Sequence, residues 1–222
     1  MKTSIVIPTR NEERMMKEII ELCRPFGDEI LVIDGHSTDQ TREIAQSLGG
    51  RVILDNGKGK GAGLRLGFKE AQYEIIVFID ADGSHDPKDI PAMIAPIQQG
   101  QADLVVGSRM RGGSDELHGD IGKFIRVVGS DIITLSINYR FGVRLTDTQN
   151  GFRAIRKQVG LDIGLKEDIF TIEQEMIMKA LKKGYRVSEI PAHEYQRKYG
   201  ESGIVVWKVA HRYVWCLIKN LF

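Results

Sequence analysis

The sequence predicts an α/β fold with a mostly parallel central sheet flanked by helices. Short apolar segments alternate with segments of helical periodicity through the first half of the chain, which is the pattern of right-handed strand–helix–strand units. Residues 75–79 (IIVFI) are continuously apolar, as expected of a parallel strand covered on both faces. The 222 residues are 42% hydrophobic and 27% charged, a composition that suits one domain with a buried core.

Helix start and stop signals separate the predicted strands of the first half. Thr9 and Glu12 form a capping-box pattern ahead of apolar residues at helical spacing. Ser37 and Thr38 are placed to cap a second helix, which ends at the glycine pair 49–50. The predicted strands are residues 4–8, 29–33, 51–54, 75–79 and 104–107.

Further along the chain, a glycine-rich segment at residues 57–63 (GKGKGAG) precedes a predicted helix over residues 64–71. A fourth helix is predicted from about residue 86 to residue 99, and Pro91 and Pro96 limit it because proline disrupts a helix interior. In the second half of the chain, the sequence predicts a polar loop, two helices and two strands. These are loop 111–120, helices 121–141 and 172–183, and strands 152–156 and 185–191.

Polar residues follow four of the predicted strands. Ligands bind at the carboxyl ends of the strands in a parallel sheet, so these residues predict one binding site along that edge. The four clusters are Thr9, Asn11 and Glu12; residues 34–39; Asp80 and Asp82; and Ser108 with Arg109.

The segment IIVFIDADGSHDP, residues 75–87, carries the strongest chemical signal. Its apolar strand leads directly to Asp80 and Asp82, which can turn toward one point where the strand ends. Two close carboxylates repel each other unless a cation lies between them. Oxygen ligands favour a hard divalent ion, so the sequence predicts Mg²⁺ or Mn²⁺ at this position, bridging to phosphate oxygens of a ligand.

Charge and cysteine content exclude several classes of protein. The 31 basic and 30 acidic residues give a net charge of +1, which argues against nucleic-acid binding. Cys23 and Cys216 cannot form a disulfide framework or a zinc site by themselves, and they fit a reducing cytoplasm. The first residues lack a signal-peptide pattern, and the chain has no apolar run of about 18 residues. We therefore expect a cytoplasmic protein.

The C-terminal segment, residues 204–222, is predicted to form an amphipathic helix. We expect this helix to lie on a membrane surface with its basic face toward the lipid headgroups and its apolar face inward. Packing on the domain core and contact with a second copy are the alternatives. The basic face contains Lys208, His211, Arg212 and Lys219, and the opposite face contains Val206, Val209, Ala210, Tyr213, Leu217 and Leu221.

Taken together, these motifs resemble the family 2 inverting glycosyltransferases of GT-A fold, and within them the polyprenyl-phosphate (dolichyl-phosphate) mannose or glucose synthases. The resemblance runs from residue 2 to about residue 203. It implies a GT-A domain over residues 1–203 followed by the C-terminal helix, 204–222. Its motifs occur in the family's order: IVIPTRNEE, VIDGHSTDQT, GKGKGAGLRLGF, FIDADGSHDP, VVGSRM, TDTQNGFRAIR, IEQEMIMKALKKGYRVSEIP and RKYGES.

The resemblance also implies roles for individual residues. The nucleotide site would contain Pro8, Thr9, Asn11, Glu12, Asp34, Asp39, Lys60, Arg65 and Asp80. Asp80 and Asp82 would hold the metal ion, Arg109 and Arg126 would contact phosphates, and Asp147 would lie at the reaction centre. Arg197 and Ser202 would belong to a segment that closes over the site. The chain departs from the family pattern at Gly35, Ser84 and Gly203, where acidic, glutamine and lysine residues are common.

The expected reaction is transfer of a hexose, mannose first, from a nucleotide sugar such as GDP-mannose to a polyprenyl phosphate. UDP-glucose is the second donor, and a sugar hydroxyl is an alternative acceptor. A lipid phosphate is a nucleophile at neutral pH and needs no strong base, whereas a hydroxyl would need a carboxylate base such as Asp147. A sugar-phosphate nucleotidyltransferase and a non-catalytic nucleotide-sugar-binding subunit are the rival functions. We expect a location on the cytoplasmic face of the membrane, and an oligomer is compatible with the sequence.

Overall fold

The computed structural model describes residues 1–117, 119, 121–199 and 206–222, with residues 206–208 as backbone. Within that part of the chain, seven strands form one sheet. They are β1 (Thr3–Thr9), β2 (Glu29–Asp34), β3 (Arg51–Leu54), β4 (Ile75–Phe78), β5 (Leu104–Ser108), β6 (Arg153–Arg156) and β7 (Val187–Pro191). The helices are α1 (Glu13–Cys23), α2 (Thr41–Ser47), α3 (Lys60–Glu70), α4 (Ile90–Gln98), α5 (Arg109–Gly112), α6 (Ile121–Phe141), α7 (Lys157–Asp162), α8 (Ile172–Lys182) and α9 (Val206–Leu221).

The sheet has the strand order β3-β2-β1-β4-β6-β5-β7. All pairs are parallel except those of β6, which runs antiparallel to both β4 and β5. The predicted α/β fold with a mostly parallel sheet is therefore confirmed. Because β6 is reversed, its amino end, and not its carboxyl end, lies beside the carboxyl ends of β4 and β5. This reversal brings the turn before β6 to the edge of the sheet where the other strands end.

Two apolar cores cover the two faces of the sheet. Strand β4 contributes to both: Ile76 and Phe78 pack in one core, and Ile75 and Val77 pack in the other. All four side chains are at most 1% exposed, which confirms the expectation of a strand covered on both faces. Helices α1, α2 and α4 close one core, and α3, α6, α7, α8 and α9 close the other.

The start of α1 differs from the prediction. Thr9 is the last residue of β1, α1 begins at Glu13, and no side chain caps the helix, so the predicted capping box does not form. The loop after β2 binds the amide groups near this helix start instead. Thr41 Oγ1 accepts from the Glu12 amide at 2.9 Å, and Asp39 Oδ2 accepts from the Glu13 amide at 3.2 Å. Side chains distant in sequence therefore replace the local cap.

Two other helices also begin differently from the prediction. Helix α2 begins at Thr41 and has no side-chain bond at its cap position, so Ser37 and Thr38 do not cap it as predicted. The predicted helix 86–99 is divided into a 3-10 turn over Pro87–Asp89 and α4 from Ile90 onward. The Asp86 carboxylate accepts from the Lys88 amide at 2.9 Å and initiates that turn.

Helix α9 packs on the domain and also has an exposed side. Cys216 and Asn220 are buried, and the Tyr213 carbonyl accepts from Gln174 Nε2 on α8 at 2.8 Å. The alternative of packing on the core is thus confirmed for this face, although Ala210, predicted to face inward, is exposed. Residues 200–205, at the predicted domain boundary, lie outside the described residues. None of the helices described is long and apolar enough to cross a membrane.

Candidate active site

A cleft of about 480 Å³ lies along the carboxyl edge of the sheet. Its walls come from the ends of β1, β2, β3 and β4, from α3, α5 and α6, and from the turn before β6 and the start of α8. The segment after β7 and Tyr213 of α9 complete the walls. The predicted site at this edge of the sheet is therefore a real cavity.

The predicted site residues divide into those that line the cleft and those that lie behind it. Pro8, Thr9, Glu12, Lys60, Asp80, Asp82, Arg109, Arg126 and Arg197 line it. Asn11, Asp34, Asp39, Arg65 and Asp147 are not among its lining residues. Ser202 lies outside the described residues.

A buried cation joins two acidic residues on the floor of the cleft. Lys60 Nζ lies 2.7 Å from Asp80 Oδ1 and 3.3 Å from Glu173 Oε1. Burial would lower the pKa of Lys60, but the charges of Asp80 and Glu173 outweigh burial and raise it. Burial would likewise raise the pKa of Asp80, but the charge and hydrogen bonds of Lys60 lower it. Lys60 and Asp80 therefore stabilise each other's charges, whereas burial outweighs the charge of Lys60 at Glu173 and raises the pKa of that carboxyl group.

Gly151 makes room for this arrangement. A Cβ atom at position 151 would lie 2.7 Å from Lys60 Nζ and 2.8 Å from Asp80 Oδ2. Gly151 belongs to the turn before β6, which the reversed direction of that strand brings to Asp80. A larger residue would push the Lys60–Asp80 pair apart or displace the turn.

Asp82 is paired with the segment that follows β7. Its Oδ2 lies 2.9 Å from Arg197 Nη2, and its Oδ1 accepts from the Ser84 amide at 3.0 Å. The side chain of Asp82 is largely buried. In this structure, therefore, Arg197 supplies a positive charge at the second predicted metal ligand.

Negative charge is concentrated around these two aspartates. The pKa of Glu12, which also lines the cleft, rises to about 7 because Glu12 is partly buried and because Asp82, Asp80 and Asp39 are nearby, while Arg197 opposes the rise. A carboxyl group with such a pKa is only partly ionised near pH 7. An added cation at this end of the cleft would thus be stabilised by three acidic side chains.

The chemistry of Asp80 and Asp82 fits a divalent ion, with the rest of the coordination left to other groups. In the part of the chain described, no three His, Cys, Asp or Glu side chains are arranged as a complete ligand set. Two carboxylates that face a cleft suit Mg²⁺ or Mn²⁺ when phosphate oxygens and water complete the shell. The protein therefore supplies only part of the coordination, and phosphate oxygens of a ligand would supply the rest.

Elsewhere in the wall of the cleft, two acids hold an arginine. Arg109 donates from Nε to Asp147 Oδ2 at 2.6 Å and from Nη2 to Asp147 Oδ1 at 3.0 Å. Its Nη1 lies 3.3 Å from Glu194 Oε1. Burial would raise the pKa of Asp147, but the charge and hydrogen bonds of Arg109 lower it. Asp147 is 2% exposed, so it positions Arg109, which is the member of the pair that lines the cleft.

The remaining predicted residues behind the wall support its loops. Asn11 Oδ1 accepts from the Thr38 amide at 2.8 Å, and Asp34 Oδ1 accepts from the Ser37 amide at 3.0 Å. Asp39 binds the starts of α1 and α2. Arg65 pairs with Asp168 and is turned toward the segment before α8.

Several lining residues are not among the site residues predicted from the sequence. Asp55 directly follows β3, so the rule applied to the other strand ends would have found it. Gln149 and Asn150 come from the turn before β6, and their recruitment depends on the direction of that strand. The same wall contains Glu173, Glu194, His85 and Tyr213, which long-range packing brings to the site.

The fold and the sequence both match known proteins. The sequence model of the family described as Glycosyl transferase family 2 matches residues 4–163. Glycosyltransferase AglJ of Haloferax volcanii is 33% identical over 88% of this chain and 64% of its own length. The low-salt glycan biosynthesis hexosyltransferase Agl6 of the same organism is 28% identical over 98% of this chain and 53% of its own length. The chain thus spans between half and two thirds of these two relatives.

A further relative matches over nearly its full length. The uncharacterized protein MJ1222 of Methanocaldococcus jannaschii is 32% identical over 95% of this chain and 90% of its own length. Among solved structures, glucosyl-3-phosphoglycerate synthase of Mycobacterium tuberculosis with Mn²⁺, UDP-glucose and phosphoglyceric acid has a TM-score of 0.78 at 20% identity, covering 99% of this chain and 79% of that one. Its complex with Mg²⁺ and UDP has a TM-score of 0.77 at 19% identity, with the same coverage. At these identities the structural likeness shows the fold.

Proposed function

Because the chain belongs to glycosyl transferase family 2 and has the GT-A fold, we propose that it transfers a hexose, with inversion, from a nucleotide sugar to the phosphate of a polyprenyl lipid. The expected donor is GDP-mannose, and UDP-glucose is the second candidate. The proposal divides the cleft into a donor end, near Asp80 and Asp82, and an acceptor end, near Arg109 and Arg126.

The burial and hydrogen bonding of Asp147 are the observation that favours a phosphate acceptor over a hydroxyl acceptor. A hydroxyl acceptor needs a base that takes its proton. The carboxylate that the family resemblance suggests for that task is buried, holds Arg109 through both oxygens and has a lowered pKa, so it is a weak base. A phosphate monoester needs no such base, since it is already ionised at neutral pH. Arg109 then serves as a fixed donor to that phosphate.

At the donor end, Asp80 and Asp82 would hold a divalent ion together with the diphosphate of the nucleotide. When bound, that ion offsets the negative charge that develops on the departing diphosphate. Lys60 holds Asp80 in place through its 2.7 Å contact. A metal ion held by Asp82 would take the place of Arg197 Nη2, which now lies 2.9 Å from Asp82 Oδ2.

In the reaction, a phosphate oxygen of the acceptor attacks the anomeric carbon as the bond to the diphosphate oxygen breaks. The bond forms on the face opposite the departing group, which inverts the configuration. Arg109 and Arg126, both lining the cleft, would bind and orient the acceptor phosphate. No proton has to leave the nucleophile in this step.

A lipid acceptor also favours contact with a membrane, on its cytoplasmic face. Helix α9 presents Arg212 and Lys219 at the protein surface, and basic residues attract anionic headgroups. Peripheral membrane attachment therefore belongs to the same proposal.

Incubation of the purified protein with radiolabelled GDP-mannose or UDP-glucose, Mn²⁺ or Mg²⁺, and a short polyprenyl phosphate would test the function. We expect labelled hexose in the organic phase with the phosphate acceptor and none with the matching polyprenol. Equal transfer to the polyprenol or to a soluble sugar would contradict the phosphate acceptor. Binding of nucleotide sugar without transfer to any acceptor would favour a non-catalytic binding subunit.

A further inference from the structure

Exposed apolar side chains are concentrated on two helices. In the described part of the chain, seventeen large hydrophobic side chains are exposed; nine belong to α6 and α9, and a tenth directly follows α9. Surface hydrophobic residues are normally scattered, and a contiguous patch of them marks an interaction site. The ten are Ile121, Phe124, Val128, Ile132, Leu135 and Tyr139 in α6, and Val214, Trp215, Ile218 and Phe222 in or after α9.

On α6 these residues form one narrow stripe. They recur every three or four positions, so at 100° per residue they occupy roughly 80° of the helix circumference. Ile133, Thr134 and Ile137, which are buried, lie on the opposite side. Tyr139 is 95% exposed and Ile121 is 79% exposed. The stripe therefore points away from the protein along the whole helix.

Helix α9 has an exposed apolar strip of its own. Val214, Ile218 and Phe222 follow one another at intervals of four residues, and Arg212 and Lys219 flank them on one side. Cys216 and Asn220 face the core instead. An apolar strip with basic residues at its edge is typical of a helix that lies in a lipid interface.

Charge distinguishes these two helices from the rest of the molecule. They contain six basic residues and one acidic residue, which gives a net charge of +5, so the remainder of the chain carries −4 when the total is +1. The basic residues are Lys123, Arg126, Arg140, Lys208, Arg212 and Lys219, and the acidic residue is Asp131.

The same two helices line the cleft. Arg126 of α6 and Tyr213 of α9 belong to its wall, and α6 and α9 contact each other. On each helix, the residue that lines the cleft and the exposed apolar strip lie on different sides. The outer sides of these two helices are thus hydrophobic, while their other sides contribute Arg126 and Tyr213 to the cleft.

We propose that the exposed strips of α6 and α9, here called the α6–α9 face, insert into the surface of an anionic lipid bilayer. The positive charge of the two helices complements anionic headgroups, and the apolar strips reach the boundary of the acyl chains. A second copy of the chain is a poorer occupant, because pairing this face with itself would bring two surfaces of like charge together. The proposal rests on the proposed function only in its consequence, which is that the acceptor end of the cleft lies near the membrane.

Vesicle binding tests this face without donor or acceptor. Wild-type protein should sediment with phosphatidylcholine vesicles that contain about one third phosphatidylglycerol, and much less with pure phosphatidylcholine. The double variants Ile132→Ser/Leu135→Ser and Val214→Ser/Ile218→Ser should each reduce partitioning by roughly tenfold or more. The matched control Leu22→Ser/Leu161→Ser changes side chains of comparable exposure, 43% and 44%, on other helices and should leave partitioning unchanged.

Charge-reversal variants measure the electrostatic contribution to vesicle binding. Arg140→Glu/Arg212→Glu should lower binding to the anionic vesicles by roughly tenfold or more, whereas the control Lys17→Glu/Lys182→Glu should not. Circular dichroism and thermal unfolding confirm that each variant is folded. If wild-type protein did not sediment with anionic vesicles, the proposal would be wrong.

Sedimentation velocity tests the other occupant. If the α6 double variant converted a dimer to a monomer while vesicle binding persisted, the face would be a contact between copies and the proposal would be wrong. Hexose transfer to a short, detergent-dispersed acceptor is measured separately. Transfer without vesicle binding would reject the α6–α9 face alone, and vesicle binding without transfer would reject the proposed function alone.

Discussion

The proposed donor and acceptor ends of the cleft differ in the charged groups that they present to the cavity. At the donor end, Asp80, Asp82 and Glu12 face the cavity, with Lys60 and Arg197 bound to the two aspartates. At the proposed acceptor end, Arg109, Arg126 and Glu194 face the cavity, and Asp147 holds Arg109 from behind the wall. The first arrangement presents a carboxylate, Asp82, that can exchange a protein cation for a metal ion, and the second presents an arginine held in a fixed position.

This difference follows from the partner that each carboxylate has. A carboxylate whose partner is a long side chain on a surface segment, as Asp82 is with Arg197, can change partners. Asp147 is bound by two nitrogens of a buried guanidinium, and a buried pair is costly to break. A change of partner is therefore expected at Asp82, and rigidity at Asp147.

Loss of a donor-end carboxylate should have the largest effect. Asp82→Asn removes one of the two charges proposed to hold the metal, so we expect kcat/KM for hexose transfer to fall by about 10²–10³-fold. Binding of Mn²⁺ in the presence of nucleotide, followed by calorimetry, should weaken in parallel. Asp131→Asn, on the exposed surface of α6, is the control and should change neither value. Unchanged Mn²⁺ binding in Asp82→Asn would show that the metal is held elsewhere.

At the acceptor end, Asp147→Asn tests positioning against base catalysis. Removing this charge from Arg109 should lower the free energy of unfolding by about 3–5 kcal/mol and reduce turnover by roughly 10–100-fold, with donor binding little changed. If Asp147 only positions Arg109, the variant keeps the wild-type dependence of kcat on pH. Arg109→Lys, which loses the two-pronged contact, should then raise the KM for the acceptor.

The pH profile decides this case. If Asp147→Asn abolished an ionisation in the profile that Arg109→Lys retained, Asp147 would be a base, and a hydroxyl acceptor would replace the phosphate in the proposal. Equal loss of activity with all acceptors and a wild-type profile would support the positioning role.

A smaller effect is expected from Gly151→Ala, which reaches the donor end indirectly. The new methyl group would meet Lys60 Nζ and Asp80 Oδ2 at 2.7 and 2.8 Å, closer than such atoms can approach. We expect about a tenfold loss of donor affinity, measured by calorimetry with nucleotide and Mn²⁺. Gly129→Ala is the control, since its Cβ has open space and alanine favours a helix. Wild-type donor affinity in Gly151→Ala would remove the Lys60–Asp80 pair from the donor site.

The sequence predicted the donor end better than the acceptor end, for a structural reason. Asp80, Asp82 and Glu12 follow parallel strands, and every parallel strand ends at the same edge. Gln149 and Asn150 reach that edge only because β6 is antiparallel, and the sequence pattern of a short strand does not reveal its direction. The start of α8, with Glu173, arrives through packing across the core.

Position after a strand also failed to distinguish lining residues from supporting ones. Asn11, Asp34 and Asp39 follow β1 and β2 as expected, yet their side chains bind loop amides behind the wall. Short polar residues stabilise turns and bind ligands with the same atoms. Only the three-dimensional direction of each side chain separates the two uses, and periodicity does not provide it.

Stability should respond to pH with opposite sign at the two ends, and this is the smallest effect. Burial and the neighbouring Asp82 raise the pKa of Glu12 from 4.5 to about 7, so the folded protein binds more protons than the unfolded chain between these values. Stability from this group is therefore present below about pH 4.5 and lost as the pH rises to about 7. The pKa of Asp147 is lowered, since Arg109 outweighs burial. Its contribution is present above the unfolded pKa and lost as the pH falls through the folded one.

Thermal unfolding in the presence of a chelator should separate the contributions of Glu12 and Asp147 to stability. Relative to wild type, Glu12→Gln should gain a few °C in Tm between about pH 5 and pH 8, because the carboxyl group that resists ionisation is gone. Asp147→Asn should lose Tm throughout that range and approach wild type only in acid, where the wild-type carboxylate also becomes protonated. Parallel shifts of both variants across the whole range would mean that the two ends of the cleft do not differ in their charge balance.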